Sequence, residues 1–155
     1  MLVLGIALFV GALDQITKIL IRKNFDLYEA VTVVPGLFDL RYIRNPGAAW
    51  GMFQNGTVWL SLLSVVMLVL LWVFRRSFLG KSLLDKVCLG LICGGIIGNL
   101  VDRVFLRYVV DFLDFYWQKH HFPAFNVADS AICIGVFIYI ILQFITPETD
   151  DAATS

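Results

Sequence analysis

The chain has 155 residues, of which 59% are hydrophobic and only 15% charged, and its mean hydropathy is +0.83. Twelve basic and twelve acidic side chains cancel to a formal net charge of zero, so the charge balance gives no reason to expect a nucleic-acid partner. Apolar runs recur along the chain instead of being spread evenly, which excludes an ordinary soluble domain and identifies a membrane protein.

A crossing helix needs about 20 mostly apolar residues. Four stretches meet or approach that length: 2–21, 57–74, 86–102 and 128–146. The first, opening "LVLGIALFVGA", has the look of a cleaved leader. It has no Lys or Arg before Lys18, however, and its apolar character resumes in "ITKILI", so it is expected to remain as a helix. Asp14 and Lys18 stand four apart within it, share a face and can neutralise each other.

The connection that follows, about 22–56, carries "VTVVPG", whose β-branched residues end at a Pro-Gly turn. It continues into "LFDLRYIRN", 37–45, where Phe38, Leu40 and Tyr42 alternate with Asp39 and Arg41. That period of two predicts strands with one apolar face, and hence a small sheet lying on the membrane surface. Phe38, Tyr42, Trp50 and Phe53 are candidate clamps over lipid chains.

Between the second and third runs, "RRSFLGKSLLDK" (75–86) packs Arg75, Arg76, Lys81 and Lys86 into a short connector. Short basic connectors stay on the cytoplasmic side. Four crossings then put both termini there, with 22–56 and 103–127 outside. Trp59 and Trp117 near one face and Trp72 near the other fit interfacial belts.

In the third run Gly90, Gly94 and Gly98 form a GxxxGxxxG stripe suited to close helix packing. Four residues further on, Asp102 shares that face and points into the bundle, while Asn99 and Arg103 occupy an adjacent strip. "YVVDFLDF" (108–115) then places Asp111 and Asp114 just outside the helix, with Arg107 as an expected partner. His120 and His121 read as a polar loop. The chain returns to the same face at Asn126, a good N-cap, with Asp129 three residues on, as in a capping box. Asp111 and Asp129 are thereby brought to one mouth.

Cys88, Cys93 and Cys133 fall inside crossings at spacings that match no zinc or redox pattern, and read as packing residues. No hydrolase or metalloprotease motif of the Gly-x-Ser-x-Gly or His-Glu-x-x-His kind is present, and neither metal nor cofactor is expected. The organisation expected is one integral membrane domain over 1–147 and a disordered cytoplasmic tail over 148–155.

"LDQITK" (13–18), "NPGAAWG" (45–51), "GNLVDR" (98–103), "VVDF" (109–112) and "FNVADS" (125–130), in this order among four crossings, resemble the lipoprotein signal peptidase family, or signal peptidase II, of bacterial inner membranes. The resemblance implies a fold of four transmembrane helices with a small extracytoplasmic β-cradle. It also implies an aspartic endopeptidase that removes the signal peptide of a diacylglyceryl-modified prolipoprotein before the lipidated cysteine. It assigns Asp111 and Asp129 as the catalytic pair, and Asn45, Gly47, Asn99, Arg103 and Asn126 to substrate binding. Asp14, Lys18 and Asp102 take supporting roles. The implied partners are the prolipoprotein and membrane lipid, with the chain working as a monomer in the inner membrane and its site near the outer face.

Two further readings follow from the residues. Asp111 lies among Val109, Val110 and Phe112, whereas Asp129 lies in a helix first turn, so Asp111 is expected to hold the proton of the pair. The competing function is a small proton- or cation-coupled transporter with Asp14 as carrier. It leaves the two external acids and the sheet without purpose.

Overall fold

The computed structural model describes residues 1–47, 52–53, 56–78 and 82–145. The expectations for Trp50, Lys81 and the acidic tail lie outside the described residues. The order of elements is α1 (Leu2–Asn24), β1 (Ala30–Val34), β2 (Phe38–Asn45), α2 (Thr57–Val73), a four-residue α3 (Arg75–Phe78), α4 (Leu83–Leu106), β3 (Val109–Trp117), β4 (His120–His121) and α5 (Val127–Ile145).

Three helices, α1, α4 and α5, are long and apolar enough to cross a membrane, and α2 is a shorter apolar helix of 17 residues. The third apolar run becomes helical three residues earlier than expected and ends four later. At its start the Ser82 hydroxyl accepts from Leu84 N–H at 3.1 Å and Ser82 N–H donates to Asp85 Oδ2 at 3.3 Å, a capping box that fixes where the helix begins. At its end Arg107 turns left-handed at φ +68° and donates its N–H to the Arg103 carbonyl.

Helix α4 is central, packing on α1, α2 and α5. The glycine stripe is what lets α1 approach. A Cβ on Gly94 would lie 2.8 Å from the Ala7 carbonyl oxygen and from Val10 Cβ, and one on Gly90 would lie 2.7 Å from Ile6 Cβ. Outward faces of the bundle stay apolar, with Phe9, Trp59, Trp72 and Phe137 all exposed, as expected of side chains that meet lipid.

The four strands form one antiparallel sheet in the order β1-β2-β3-β4. Its first two strands were expected; β3 and β4 were not. The β2–β3 register pairs Ile43 with Asp111 and Asn45 with Val109, after an irregularity beyond Leu40. Ile21, Tyr42, Val110 and Phe112 make a buried cluster that seats the sheet on the ends of α1 and α4. Tyr42 is therefore a core residue and not a clamp. Phe38 stacks on Phe115 at 4.6 Å, whereas Phe53 stays exposed.

Candidate active site

The sheet and the helix ends bring Asn45, Asn99, Arg103, Asp111 and Asp129 to the wall of one cavity of about 450 Å³, closed on another side by Phe122, Pro123, Ala124 and Phe125. Asp111 arrives on β3, held in register against β2 by its pairing with Ile43. Asp129 arrives in the first turn of α5. There the capping box expected from the sequence is present: Asp129 N–H donates to Asn126 Oδ1 at 3.0 Å, and Asn126 N–H donates to Asp129 Oδ2 at 3.2 Å.

Every oxygen of the two carboxylates accepts an N–H from a neighbour. Asn126 Nδ2 donates to Asp111 Oδ1 at 2.7 Å and Asn45 Nδ2 to Asp111 Oδ2 at 2.9 Å. Asn99 Nδ2 donates to Asp129 Oδ1 at 2.7 Å. The amides cannot turn over without loss, because their oxygens are engaged as well. Gly47 N–H holds Asn45 Oδ1 at 3.0 Å, Asp129 N–H holds Asn126 Oδ1, and Lys18 Nζ holds Asn99 Oδ1 at 2.9 Å. A carboxylate oxygen has two acceptor positions. One of each is spent on the protein, so the remainder are available to the cavity.

Asn126, assigned to substrate binding by the sequence, is completely buried. Its amide points at Asp111, Asn99 Oδ1 and the Val110 carbonyl, so it sits behind the acids and ties them together. Asp14, Lys18 and Asp102 lie deeper still, all nearly inaccessible. Lys18 Nζ is 2.8 Å from Asp14 Oδ2 and 3.1 Å from Asp102 Oδ2. Each of these acids also grips a backbone: Asp14 Oδ1 accepts from Ala128 N–H and Asp102 Oδ2 from Val110 N–H, both at 2.9 Å. Ala128 and Val110 are the residues immediately before Asp129 and Asp111. The buried ion cluster thus sets the position of both acids from behind.

Burial pushes the Asp111 carboxyl up to about 7, and the neighbouring charge of Asp129 adds to the rise, against the amide donors Asn45 and Asn126. The two acids therefore act on each other across the site. Among the described residues no group of three or more His, Cys, Asp or Glu side chains is placed to hold a metal ion.

Sequence reading missed several participants. Gln15 donates to Asp102 Oδ1 and to the Gly98 carbonyl, both at 3.0 Å. Its signal was present in "LDQITK", as a second polar side chain beside Asp14 within an apolar run. Thr57 Oγ1 lies 3.1 Å from the Pro46 carbonyl and 3.0 Å from that of Arg107, joining the start of α2 to the loop after Asn45. Asp114 takes Arg41 at 3.2 Å and His121 Nδ1 at 2.9 Å, where Arg107 was expected as the partner. The histidines lie in β4 and not in a free loop, because Tyr116 and Trp117 pair with them.

A family model described as "Signal peptidase (SPase) II" matches residues 6–145. The chain belongs to the signal peptidase II family. Proteins named lipoprotein signal peptidase are its relatives. That of Syntrophotalea carbinolica is 46% identical over 147 residues, covering 92% of this chain and 91% of that one. The one from Nitratidesulfovibrio vulgaris is 43% identical over 156 residues, covering 96% and 93%. A solved bacterial membrane enzyme superposes with a TM-score of 0.84 at 31% identity, over 99% of this chain and 93% of the other. A second superposes at 0.80 and 33% identity, over 93% and 92%. Membership in a peptidase family disfavours the transporter reading, in which Asp14 would have to leave its bonds to Lys18 and Ala128.

Proposed function

We propose that this chain cleaves the signal peptide from diacylglyceryl-modified prolipoproteins, before the lipidated cysteine, with Asp111 and Asp129 as its catalytic pair. The name shared by its relatives supports the substrate class. The observation that carries the residue assignment is Asn126, which hydrogen-bonds to both acids while both line the same cavity.

In the mechanism, Asp111 carries the proton and Asp129 is the carboxylate. Asp129 takes a proton from a water held between the acids as the water oxygen adds to the scissile carbonyl carbon, and Asp111 gives its proton to the carbonyl oxygen. A gem-diol results. Asp129 then passes its proton to the departing amide nitrogen while Asp111 recovers one from a diol hydroxyl, the C–N bond breaks, and the pair returns to its starting state. Arg103 lines the cavity and has no acid within ion-pair distance among the described residues, which fits it to hold a substrate backbone carbonyl. Asn45 and Asn99 hold the acids and face the same space.

Helix α2 is taken as the fourth crossing; its 17 residues rise about 25 Å, at the short end for a hydrocarbon core of about 30 Å. With the Arg75–Arg76 connector on the cytoplasmic side, both termini lie there and the cavity opens near the outer face of the bacterial inner membrane. The buried Asp14–Lys18–Asp102 cluster and Asn99 find their partners within one chain, which favours a monomer.

The test is cleavage of a diacylglyceryl-modified preprolipoprotein by the purified chain and by its Asp111→Asn and Asp129→Asn variants. Loss of cleavage in both folded variants is expected. Turnover retained by either one would remove that residue from the pair.

A further inference from the structure

The cations at the sheet end of α1 have no role in the chemistry above. Arg22 and Lys23 close the last turn of α1, and Arg44 lies on β2 beside Asn45. Arg44 is directed away from the cavity wall. Its Nε donates to the Tyr42 hydroxyl at 2.9 Å, and its guanidinium carbon stands 5.0 Å from the Tyr108 ring centroid and 5.5 Å from that of Tyr42. The two phenol oxygens are 3.5 Å apart. Ile21 packs against Tyr42 in the buried cluster, which brings the following residue, Arg22, to the same edge, and its charge acts on both phenols.

This cluster holds two guanidinium groups with no carboxylate to balance them. Among the described residues neither Arg22 nor Arg44 has an acid within 4.0 Å. The acids of the adjoining loop do not supply one: Glu29 Oε2 is taken by Asp26 N–H at 2.6 Å. Arg44 has spent one of its five N–H donors on Tyr42, and the others have no described partner. The cluster is also at the end of the bundle remote from Arg75 and Arg76, where basic residues are disfavoured unless something else selects them. Helix α1 has 23 residues and rises about 35 Å, more than the roughly 30 Å of hydrocarbon, so its last turn reaches headgroup depth.

We propose that Arg22 and Arg44, with the hydroxyl of Tyr108, bind the phosphodiester of an anionic phospholipid headgroup, the buried Tyr42 hydroxyl holding Arg44 in place. A guanidinium offers paired donors that match two phosphate oxygens, and the Tyr108 hydroxyl adds a neutral donor beside them. A zwitterionic headgroup fits less well, since it brings a second cation to a site already holding two. The bound lipid fixes the sheet against the bilayer on the side away from the cavity. This inference rests on the membrane reading and is independent of the proposed peptidase chemistry.

The experiment measures thermal unfolding of the full chain in detergent micelles doped with phosphatidylglycerol, phosphatidylcholine or inorganic phosphate. Expected is a midpoint that rises with phosphatidylglycerol and rises less with phosphatidylcholine, with no response to phosphate at the same concentration. Arg22→Gln, which changes an exposed side chain without a described partner, should reduce the rise, and Arg22→Gln with Arg44→Gln should reduce it to the phosphatidylcholine level. Arg44→Lys, which keeps the charge and loses the paired donors, should keep only part of it, and Arg75→Gln, at the other end of the bundle, all of it. The proposal is overturned if phosphatidylcholine stabilises equally, if the double variant keeps the full rise, if Arg75→Gln loses as much, or if inorganic phosphate alone reproduces it.

Discussion

Lys18 holds its ammonium 2.9 Å from the side-chain oxygen of Asn99, and through that contact decides which way the Asn99 amide faces. With the oxygen committed to Lys18, only the NH₂ can point at Asp129. The same ammonium is, among the described residues, the one cation bonded to Asp14 and Asp102, both buried. Removing one partner from a buried ion cluster leaves charge without compensation, at a cost of about 3–5 kcal/mol. Lys18→Met should therefore destabilise the fold by about that amount. Adding Asp14→Asn and Asp102→Asn should recover part of it. Denaturation of the single and triple variants checks this, and equal stability of Lys18→Met and the parent would refute the cluster's role.

The pH dependence follows from Asp111. Its carboxyl titrates near 3.8 when exposed and is raised to about 7 in the fold, by burial first and by Asp129 second. The native state thus holds this proton more tightly than the unfolded chain. The stabilising contribution is full below about 4 and is lost as pH rises through about 7. The unfolding midpoint should accordingly decline between pH 5 and 8, and less so in Asp111→Asn. If Asp111 is the acid of the proposed pair, kcat should also fall as pH passes about 7. A kcat that stays level well above neutrality would assign the proton elsewhere.

Much of this architecture was legible because membrane helices announce themselves locally. The apolar runs, the Asp14–Lys18 spacing, the glycine stripe leading to Asp102 and the Asn126–Asp129 capping box are all patterns within one helix, and each is present. What escaped depends on partners distant in sequence. Strand β3 has an irregular mix of valines, aromatics and acids, and its conformation is set by pairing with β2, so no local period marks it. Likewise the start of α4 depends on the Ser82–Asp85 cap, whose polar side chains broke the apolar count. The amide orientations around the two acids were invisible for a further reason: each asparagine's facing depends on two partners from different elements.

Asn126 offers a separate handle on the same chemistry. Its amide donates to Asp111 at 2.7 Å and pulls the Asp111 carboxyl down, opposing burial. In Asn126→Ala that opposition is gone, so the alkaline limit of kcat should move to higher pH even as turnover falls. The buried groups left without partners should cost about 1–3 kcal/mol. A pH–rate profile displaced downward, or simply scaled without displacement, would contradict the role given to this amide.

The close approach of α1 and α4 makes the final prediction, because it fixes how the Asp14–Lys18–Asp102 cluster reaches the acids. At Gly94 an added methyl would meet the Ala7 carbonyl oxygen and Val10 Cβ at 2.8 Å, and neither a backbone oxygen nor a β-carbon can swing aside. The helices must separate. Gly94→Ala is expected to destabilise by about 1–3 kcal/mol, the usual range for overpacking a close contact. It should also lower turnover, since moving α1 shifts Lys18 relative to Asn99 on α4. Gly5→Ala on α1 is the control: nothing lies within 4 Å of its added methyl, so it should be neutral or stabilise by about 0.5–1 kcal/mol. Similar unfolding midpoints and turnover for the two variants would show that helix separation at Gly94 does not govern the site.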